Sequence, residues 1–177
     1  MSSFVDERPT SRRRFFRTLL VVIALLVLIN LFRLGFVSYP EADVKLECFT
    51  DKEYAVLKAA ADTLLPGAAD APSASALGVP GSIDKFLATA PPELGARFKQ
   101  LLMMLEHGTT IFGLKFRRFT ELSQGERLAY LEKWMNSDLS IQRQGFMGLK
   151  KLVATFYYVN PRSWQAIGYP GPWVKQA

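Results

Sequence analysis

The chain has 177 residues, of which 49% are hydrophobic, and a net charge of +6. From Glu41 onward there are 16 basic and 14 acidic residues, so the charge is nearly balanced. A surface that neutralises phosphates, and hence nucleic-acid binding, is therefore not expected. Cys48 and His107 are the only cysteine and histidine, which excludes an internal disulfide and a CxxCH haem site. A catalytic triad or zinc site would depend on one residue, so composition argues against an enzyme.

A basic segment precedes the first apolar run. Residues 11–17 resemble, in every position, the twin-arginine export motif. The predicted signal residues are Ser11, Arg12, Arg13, Phe15 and Arg17. A Sec-type signal anchor is the alternative, because membrane helices commonly follow basic residues and the next segment is strongly hydrophobic.

The apolar segment 18–37 predicts a transmembrane helix of about 30 Å, which matches the hydrocarbon thickness of a bilayer. No small-x-small cleavage site follows, so the segment is expected to remain as an anchor. The arginines stay inside, which predicts a single-pass protein of the bacterial inner membrane with its C-terminal domain in the periplasm. The predicted parts are a cytoplasmic n-region (1–17), a signal anchor (18–37), a tether (38–49) and an exported helical domain (50–177).

Local patterns place the first helix of the exported domain. Residues 50–53 have the Ser/Thr-x-x-Glu form of a capping box, which predicts a helix start. Apolar residues then recur at helical spacing until Pro66-Gly67. The following stretch, 67–81, is rich in Ala, Pro, Ser and Gly and predicts a loop.

Three further helix starts follow in order. Ser82 is expected to cap a short helix that runs through Ala90. Pro91-Pro92 starts the next helix, which Gly108 is expected to weaken. Ser123 begins a second capping box.

The longest helix is expected from about Leu139 to Tyr158. Its predicted core residues are Ile141, Phe146, Leu149, Leu152, Val153 and Phe156. No segment alternates at period two, so the predicted fold is all-α: the membrane helix, a bundle of about five helices and an irregular aromatic C-terminal tail.

The tail combines turn residues with aromatic bulk, so only packing can order it. Trp164 and Tyr169 either fill the bundle or form a protein interface, where Trp and Tyr are favoured. The predicted partner-interface residues are Tyr157, Tyr158, Trp164, Tyr169, Pro170 and Trp173.

Single polar residues have simple structural interpretations. Asp62 is expected to bond to loop N–H groups near a helix end. His107 is expected to act as a cation near a helix C-terminus. The basic residues in 115–118 are expected to be solvated, and Cys48 to be an inert thiol.

The exported domain resembles the gluconate 2-dehydrogenase subunit 3 family from Thr50 to Trp173. The first stretch is Leu57 with residues 60–67, the second is 77–80 with 83–87, and the third is 156–158, Pro161, Trp164 and 167–172. Together these stretches are specific, whereas each alone is weak.

The resemblance implies a helical subunit without its own cofactor. It implies a partner that contains FAD, of the glucose-methanol-choline oxidoreductase type, and a third subunit that is often a multihaem cytochrome c. The leading hypothesis is therefore an accessory subunit that stabilises, co-exports and anchors an FAD-dependent dehydrogenase. The alternative is a self-standing membrane-tethered periplasmic binding or scaffold domain without a redox partner.

Overall fold

The computed structural model describes residues 15–22, 25, 38–68, 70–112 and 117–172. The chain divides after Ser38 into two units, and the second begins at Tyr39. In the first unit, residues 15–22 and Leu25 are helical, while most of the predicted transmembrane segment 18–37 lies outside the described residues. Within the ranges that are described, no helix is both long enough and apolar enough to cross a bilayer.

Residues 39–50 form an irregular strap that packs against the helical bundle. The strap contributes Phe49 to the hydrophobic core, and Ala42, Leu46 and Cys48 pack against that core from its edge. Asp43 accepts hydrogen bonds from the Tyr54 hydroxyl and the Lys58 ammonium, each at 2.8 Å. Most of the segment predicted as a tether is thus attached to the second unit.

Helix α1 (Asp51–Leu64) begins at the predicted capping box, which is confirmed. The Thr50 hydroxyl accepts from the Glu53 N–H, and the Glu53 carboxylate accepts from the Thr50 N–H at 2.9 Å. The helix lies at the centre of the bundle and contacts each of the other four long helices. Ala60 and Ala61, both 0% exposed, allow these neighbours to approach the α1 backbone.

Helix α2 (Val79–Thr89) begins earlier than predicted. Gly78 precedes it with a left-handed φ of 68°, and Pro80 lies in the first turn, where its missing N–H costs nothing. The predicted start at Ser82 is wrong, because the backbone turn at Gly78 starts the helix without a side-chain cap. Ser82 instead lies inside the first turn, where its hydroxyl donates to the Gly78 carbonyl at 3.1 Å.

Helix α3 (Pro92–Phe112) is the longest described helix, with 21 residues. Its predicted start at Pro92 is confirmed, but Gly108 does not end it. Gly108 lies on the buried side of α3, together with Leu105 and Thr109. Packing therefore outweighs the cost of glycine in a helix, about 1 kcal/mol.

A 3-10 helix (Phe119–Glu121) leads to helix α4 (Gln124–Met135). The second predicted capping box is confirmed: the Ser123 hydroxyl accepts from the Glu126 N–H, and the Glu126 carboxylate accepts from the Ser123 N–H at 2.9 Å. Helix α5 (Ser140–Tyr158) has 19 residues, so the prediction that it is the longest is wrong.

The buried side of α5 is nearly the predicted one. Phe146, Leu149 and Val153 are buried, but Ile141 is 58% exposed and its prediction as a core residue is wrong. The helical period through the three buried residues runs back to position 142, so Gln142 occupies the buried position of the first turn.

One hydrophobic core joins the strap and the five helices. Its largest fully buried side chains include Trp134 on α4 and Phe119 on the 3-10 helix. The described residues contain no β-strand, only an isolated bridge between Ala68 and Ala71. The predicted all-helical bundle of about five helices is confirmed.

Candidate partner-binding site

The loop between α1 and α2 joins the three stretches that carry the sequence resemblance. The Asp62 carboxylate of α1 accepts from the Ser75 N–H at 2.9 Å and the Ser75 hydroxyl at 2.6 Å. The prediction that Asp62 bonds to a loop N–H is confirmed. The Tyr157 hydroxyl of α5 donates to the Pro72 carbonyl at 2.8 Å, which fastens the end of α5 to the same loop.

Asp84 on α2 fixes the strap. Its side chain is 1% exposed, and its carboxylate accepts from the N–H groups of Glu47 at 2.7 Å, Cys48 at 3.0 Å and Phe49 at 2.7 Å. These N–H groups have no helix or sheet partner, so the carboxylate supplies the acceptors that a buried backbone requires. Asp84 therefore determines where the strap enters α1.

Glu106 on α3 is the most deeply buried charged residue of the described chain, with 0% exposure. It accepts from the Tyr39 hydroxyl at 2.8 Å, the Thr120 hydroxyl at 2.7 Å and the Thr120 N–H at 3.0 Å. Burial raises the pKa of Tyr39, and the hydrogen bond to Glu106 adds to this. Glu106 thus ties the first residue of the strap to the 3-10 helix.

Arg118 completes this buried polar cluster. Its side chain donates to Glu121 at 2.7 Å and to the Tyr39 hydroxyl oxygen at 3.0 Å, and its guanidinium lies 5.1 Å from the centre of the Tyr39 ring. The residue is 8% exposed, so the expectation that it is solvated is wrong. Arg117 is exposed as expected, and Lys115 lies outside the described residues.

His107 differs from its predicted role. It lies inside α3, which continues to Phe112, and not at the helix end. The Lys52 ammonium donates to its Nε2 at 2.9 Å, and its Nδ1 is buried without a hydrogen-bond partner among the described residues. Burial lowers the pKa of His107, and the positive charge of Lys52 lowers it further. The prediction of a histidine cation at a helix C-terminus is therefore wrong.

The tail after α5 folds around Trp164. The Trp164 indole N–H donates to the Tyr158 carbonyl at 2.8 Å, and the Tyr169 ring meets the Trp164 ring edge-on at 5.3 Å. Gly171 has a φ of 102°, and a Cβ there would lie 3.2 Å from the Trp164 ring. Trp164 is half-buried and outside the hydrophobic core, so it organises the tail without filling the bundle.

This packing leaves an exposed apolar area, which we call the tail surface. Its exposed fractions are 43% for Tyr158, 68% for Val159, 53% for Ile167 and 41% for Tyr169, and Pro170 is also exposed. The tail surface is shaped by hydrogen bonds and ring contacts, and its apolar groups remain in contact with solvent. This ordered group of exposed apolar side chains is a candidate protein-binding surface.

A comparison with known families gives a match. Residues 51–171 match the family described as gluconate 2-dehydrogenase subunit 3. The chain belongs to this family. The match runs from the first residue of α1 to Gly171 beside Trp164, so the subunit 3 domain includes the bundle and the ordered tail. Comparisons with curated proteins and with solved structures give no match.

The predicted interface residues of the subunit 3 domain differ in their exposure to solvent. Tyr158, Tyr169 and Pro170 lie on the tail surface, and Trp164 lies beneath it. Tyr157 is 4% exposed and points into the core, so it supports the site from below. Trp173 lies outside the described residues.

Most of the predicted export signal also lies outside the described residues, namely Ser11, Arg12 and Arg13. Phe15 and Arg17 are helical, and the Phe15 ring meets the Phe16 ring edge-on at 6.1 Å. The side chains of Phe15 and Arg17 are exposed. Their role in export stays a prediction.

Sequence reasoning missed the burial of Asp84 and Glu106, the two buried carboxylates among the described residues. Each is a single acidic residue on the apolar side of a helix, at a position where the helical period predicts a core residue. An acidic residue at a core position could have indicated a buried polar site in the sequence, because a charged group in a core must have partners. In the described residues, no group of three or more His, Cys, Asp or Glu is placed to hold a metal ion.

Proposed function

We propose that this chain is a non-catalytic accessory subunit that stabilises, co-exports and membrane-anchors an FAD-dependent dehydrogenase of the glucose-methanol-choline type, such as gluconate 2-dehydrogenase. The family match over residues 51–171 is the observation that carries the proposal. A subunit of a dehydrogenase complex needs a surface for another chain. The tail surface is the best candidate in the described residues.

The cofactors belong to the partners in this proposal. FAD is held by the dehydrogenase subunit, and haem c by a cytochrome c subunit that accepts its electrons. This chain contributes packing surface and holds no cofactor itself. The physical reason for a separate subunit is that FAD is inserted in the cytoplasm, so a folded flavoprotein without its own signal needs a signal-bearing partner.

The export and anchoring roles are supported by the sequence of residues 11–37. The basic segment would engage the twin-arginine translocase, which carries folded proteins, and the apolar segment 18–37 would remain in the lipid. The domain from Tyr39 onward would then lie in the periplasm, at the bacterial inner membrane. The chain would span the membrane once.

Purification of the complex tests the proposal directly. The full chain, with an affinity tag joined to Ala177 by a flexible linker, is extracted from membranes in mild detergent. We expect a yellow flavoprotein with dehydrogenase activity to co-purify, identified by its FAD absorbance and by mass spectrometry. Recovery of a flavin-free chain beside a fully active, correctly located dehydrogenase would contradict the proposal and favour the self-standing binding domain.

Paired variants test the tail surface. Tyr158→Ala with Tyr169→Ala removes two exposed aromatic rings and should lower the co-purified FAD by about tenfold or more, because exposed aromatic residues often dominate binding. Met103→Ala with Met135→Ala is the matched control, since both methionines are exposed, at 59% and 43%, and lie outside the tail surface. Equal losses in both variants would show that the tail surface has no special role.

Conservative substitutions test the export signal. Arg12→Lys with Arg13→Lys should leave the chain and its partner's activity in the cytoplasm, because lysine cannot replace the paired arginines of the motif. Arg14→Lys is the matched control, since it occupies the variable position. Normal export of the double variant would favour the Sec-type alternative and leave the partner-binding role unaffected.

A further inference from the structure

The C-terminal part of the domain carries a one-sided charge. Residues 139–177 contain five basic residues and no acidic residue. The preceding residues 41–138 contain eleven basic residues and fourteen acidic ones. The near balance of the whole domain therefore conceals two parts of opposite sign.

The structure describes four of these five cations, three on helix α5 and one in the tail, whereas Lys175 lies outside the described residues. Arg143, Lys150 and Lys151 are exposed on the outward side of α5, and Arg162 is exposed in the tail. Met147 lies among the α5 cations and is 60% exposed. We call the tail surface, Met147 and these four basic residues together the α5–tail face.

The cations of this face have no carboxylate partner among the residues that the structure describes. The described ion pairs are Lys58 with Asp43, Arg117 with Glu126, and Arg118 with Glu121, all outside the face. Arg143 bonds only to a backbone oxygen, that of Ser137. The positive charge of the face is thus not neutralised within the described chain.

We propose that the α5–tail face docks on an acidic surface of the flavoprotein partner, an inference that rests on the function proposed above. The tail surface would form the main apolar part of the contact, and Met147 would add an apolar side chain among the α5 cations. Arg143, Lys150 and Lys151 along α5 and Arg162 in the tail would meet carboxylates of the partner. Apolar centres with polar rims, and complementary charges across them, are usual in protein interfaces.

The arrangement suits a protein better than a lipid surface. A helix that lies on a bilayer needs a wide apolar stripe. On α5, Met147 is the one large apolar side chain exposed between Arg143 and Thr155, while Ile141 and Tyr158 are exposed near the two ends of the helix. The aromatic residues of the tail are also held in one shape by Trp164. A fixed shape favours a complementary folded surface.

Charge reversal with a salt titration tests the inference. The full chain in detergent is mixed with the flavoprotein that co-purifies with it, and the dissociation constant is measured across a range of NaCl concentrations. For the unmodified chain we expect binding to weaken as salt rises, because salt screens exposed charges. Lys150→Glu with Lys151→Glu should weaken binding at low salt by about tenfold or more and flatten the salt dependence.

Two matched variants complete the experiment. Lys85→Glu with Lys133→Glu makes the same charge change at two exposed lysines outside the face, and should change the dissociation constant less than about twofold. Lys150→Arg with Lys151→Arg keeps the charge and should bind normally. The helical signal of each variant in far-ultraviolet circular dichroism shows whether the variant is folded.

The outcomes separate this inference from the proposed function. Binding that is independent of salt and equal for the Lys150/Lys151 and Lys85/Lys133 reversals overturns the acidic-partner inference, while the accessory role stands. Absence of any flavoprotein complex overturns both.

An experiment with lipid nanodiscs tests the alternative that the α5–tail face binds lipid. A Met147→Cys chain in a Cys48→Ser background is labelled with an environment-sensitive dye and placed in nanodiscs of phosphatidylcholine, with or without phosphatidylglycerol. We expect the dye emission to shift only when the flavoprotein is added. A shift caused by phosphatidylglycerol alone overturns the inference in favour of a lipid-docking face.

Discussion

Two regions of the domain differ in which groups they bury: one buries hydrogen-bonded polar groups, and the other exposes apolar side chains. Around the strap, its two carboxylate partners Asp84 and Glu106 are almost fully buried, yet each accepts three hydrogen bonds. On the α5–tail face, Tyr158, Ile167 and Met147 are at least 43% exposed beside cations without carboxylate partners in the described residues. Both carboxylates have their hydrogen-bond partners within the chain, whereas the α5–tail face has the composition of a surface that another molecule covers. Stability should therefore depend on the first region and binding on the second.

The largest expected effect on stability comes from Asp84. Asp84→Ala removes the acceptor of three N–H groups of the strap and should lower the free energy of unfolding by about 3 kcal/mol or more, because each charge-assisted bond contributes about 1.5 to 3 kcal/mol. The measurement is urea unfolding followed by circular dichroism. Asp138→Ala, at an exposed aspartate, should change stability by less than about 0.5 kcal/mol. Equal effects would mean that the strap does not depend on this carboxylate.

Glu106 and Tyr39 test whether the buried polar cluster acts as a unit. Glu106→Gln should cost about 2 kcal/mol, and Tyr39→Phe about 1 kcal/mol, because the first removes the charge that strengthens three hydrogen bonds and the second removes one of these bonds. The double variant should cost less than the sum, with a coupling of about 1 kcal/mol in a double-mutant cycle. Additive costs would contradict the direct contact between these side chains. Flavoprotein binding should be unchanged in Tyr39→Phe if the two regions are independent.

Two glycines on α5 should respond with opposite signs. A Cβ at Gly145 would lie 2.6 Å from Leu101 Cδ1 and 3.1 Å from the Trp134 ring, so Gly145→Ala should destabilise the bundle by about 1 kcal/mol. Gly148 has no such neighbour within 4 Å. Gly148→Ala should therefore stabilise the helix by about 0.5 to 1 kcal/mol. If both variants change the urea midpoint in the same direction, the close contact between α3, α4 and α5 is not as described.

The sequence predicts those features that short segments determine. Both capping boxes connect residues three positions apart, and each predicted helix start at Thr50 and Ser123 is confirmed. The start of α2 was missed because Gly78 acts through its backbone conformation, which a search for capping side chains does not detect. Capping side chains therefore predict helix starts well, except where a glycine backbone conformation starts the helix without a side-chain cap.

The buried polar groups could not be predicted, because their partners are far away in sequence. Asp84 bonds to residues 35 to 37 positions earlier, and Glu106 bonds to a hydroxyl 67 positions earlier. The tail is an intermediate case. Its aromatic residues identified it as a packed segment, but only the structure shows that Trp164 organises it while Tyr157 is buried.

The smallest expected effect is the pH dependence that His107 contributes. Burial and the Lys52 charge lower its pKa below the ordinary value of 6.5, so the unfolded chain binds a proton more readily than the folded chain. Its stabilising contribution is complete above about pH 6.5 and is lost as the pH falls through the folded-state pKa. His107→Gln keeps an uncharged side chain near Lys52 and cannot titrate. The difference between the unfolding free energies of the two chains should therefore change below about pH 6.5, in favour of the variant. A constant difference from pH 5 to pH 8 would mean that His107 is as solvated in the folded chain as in the unfolded one, which would contradict its burial beside Lys52.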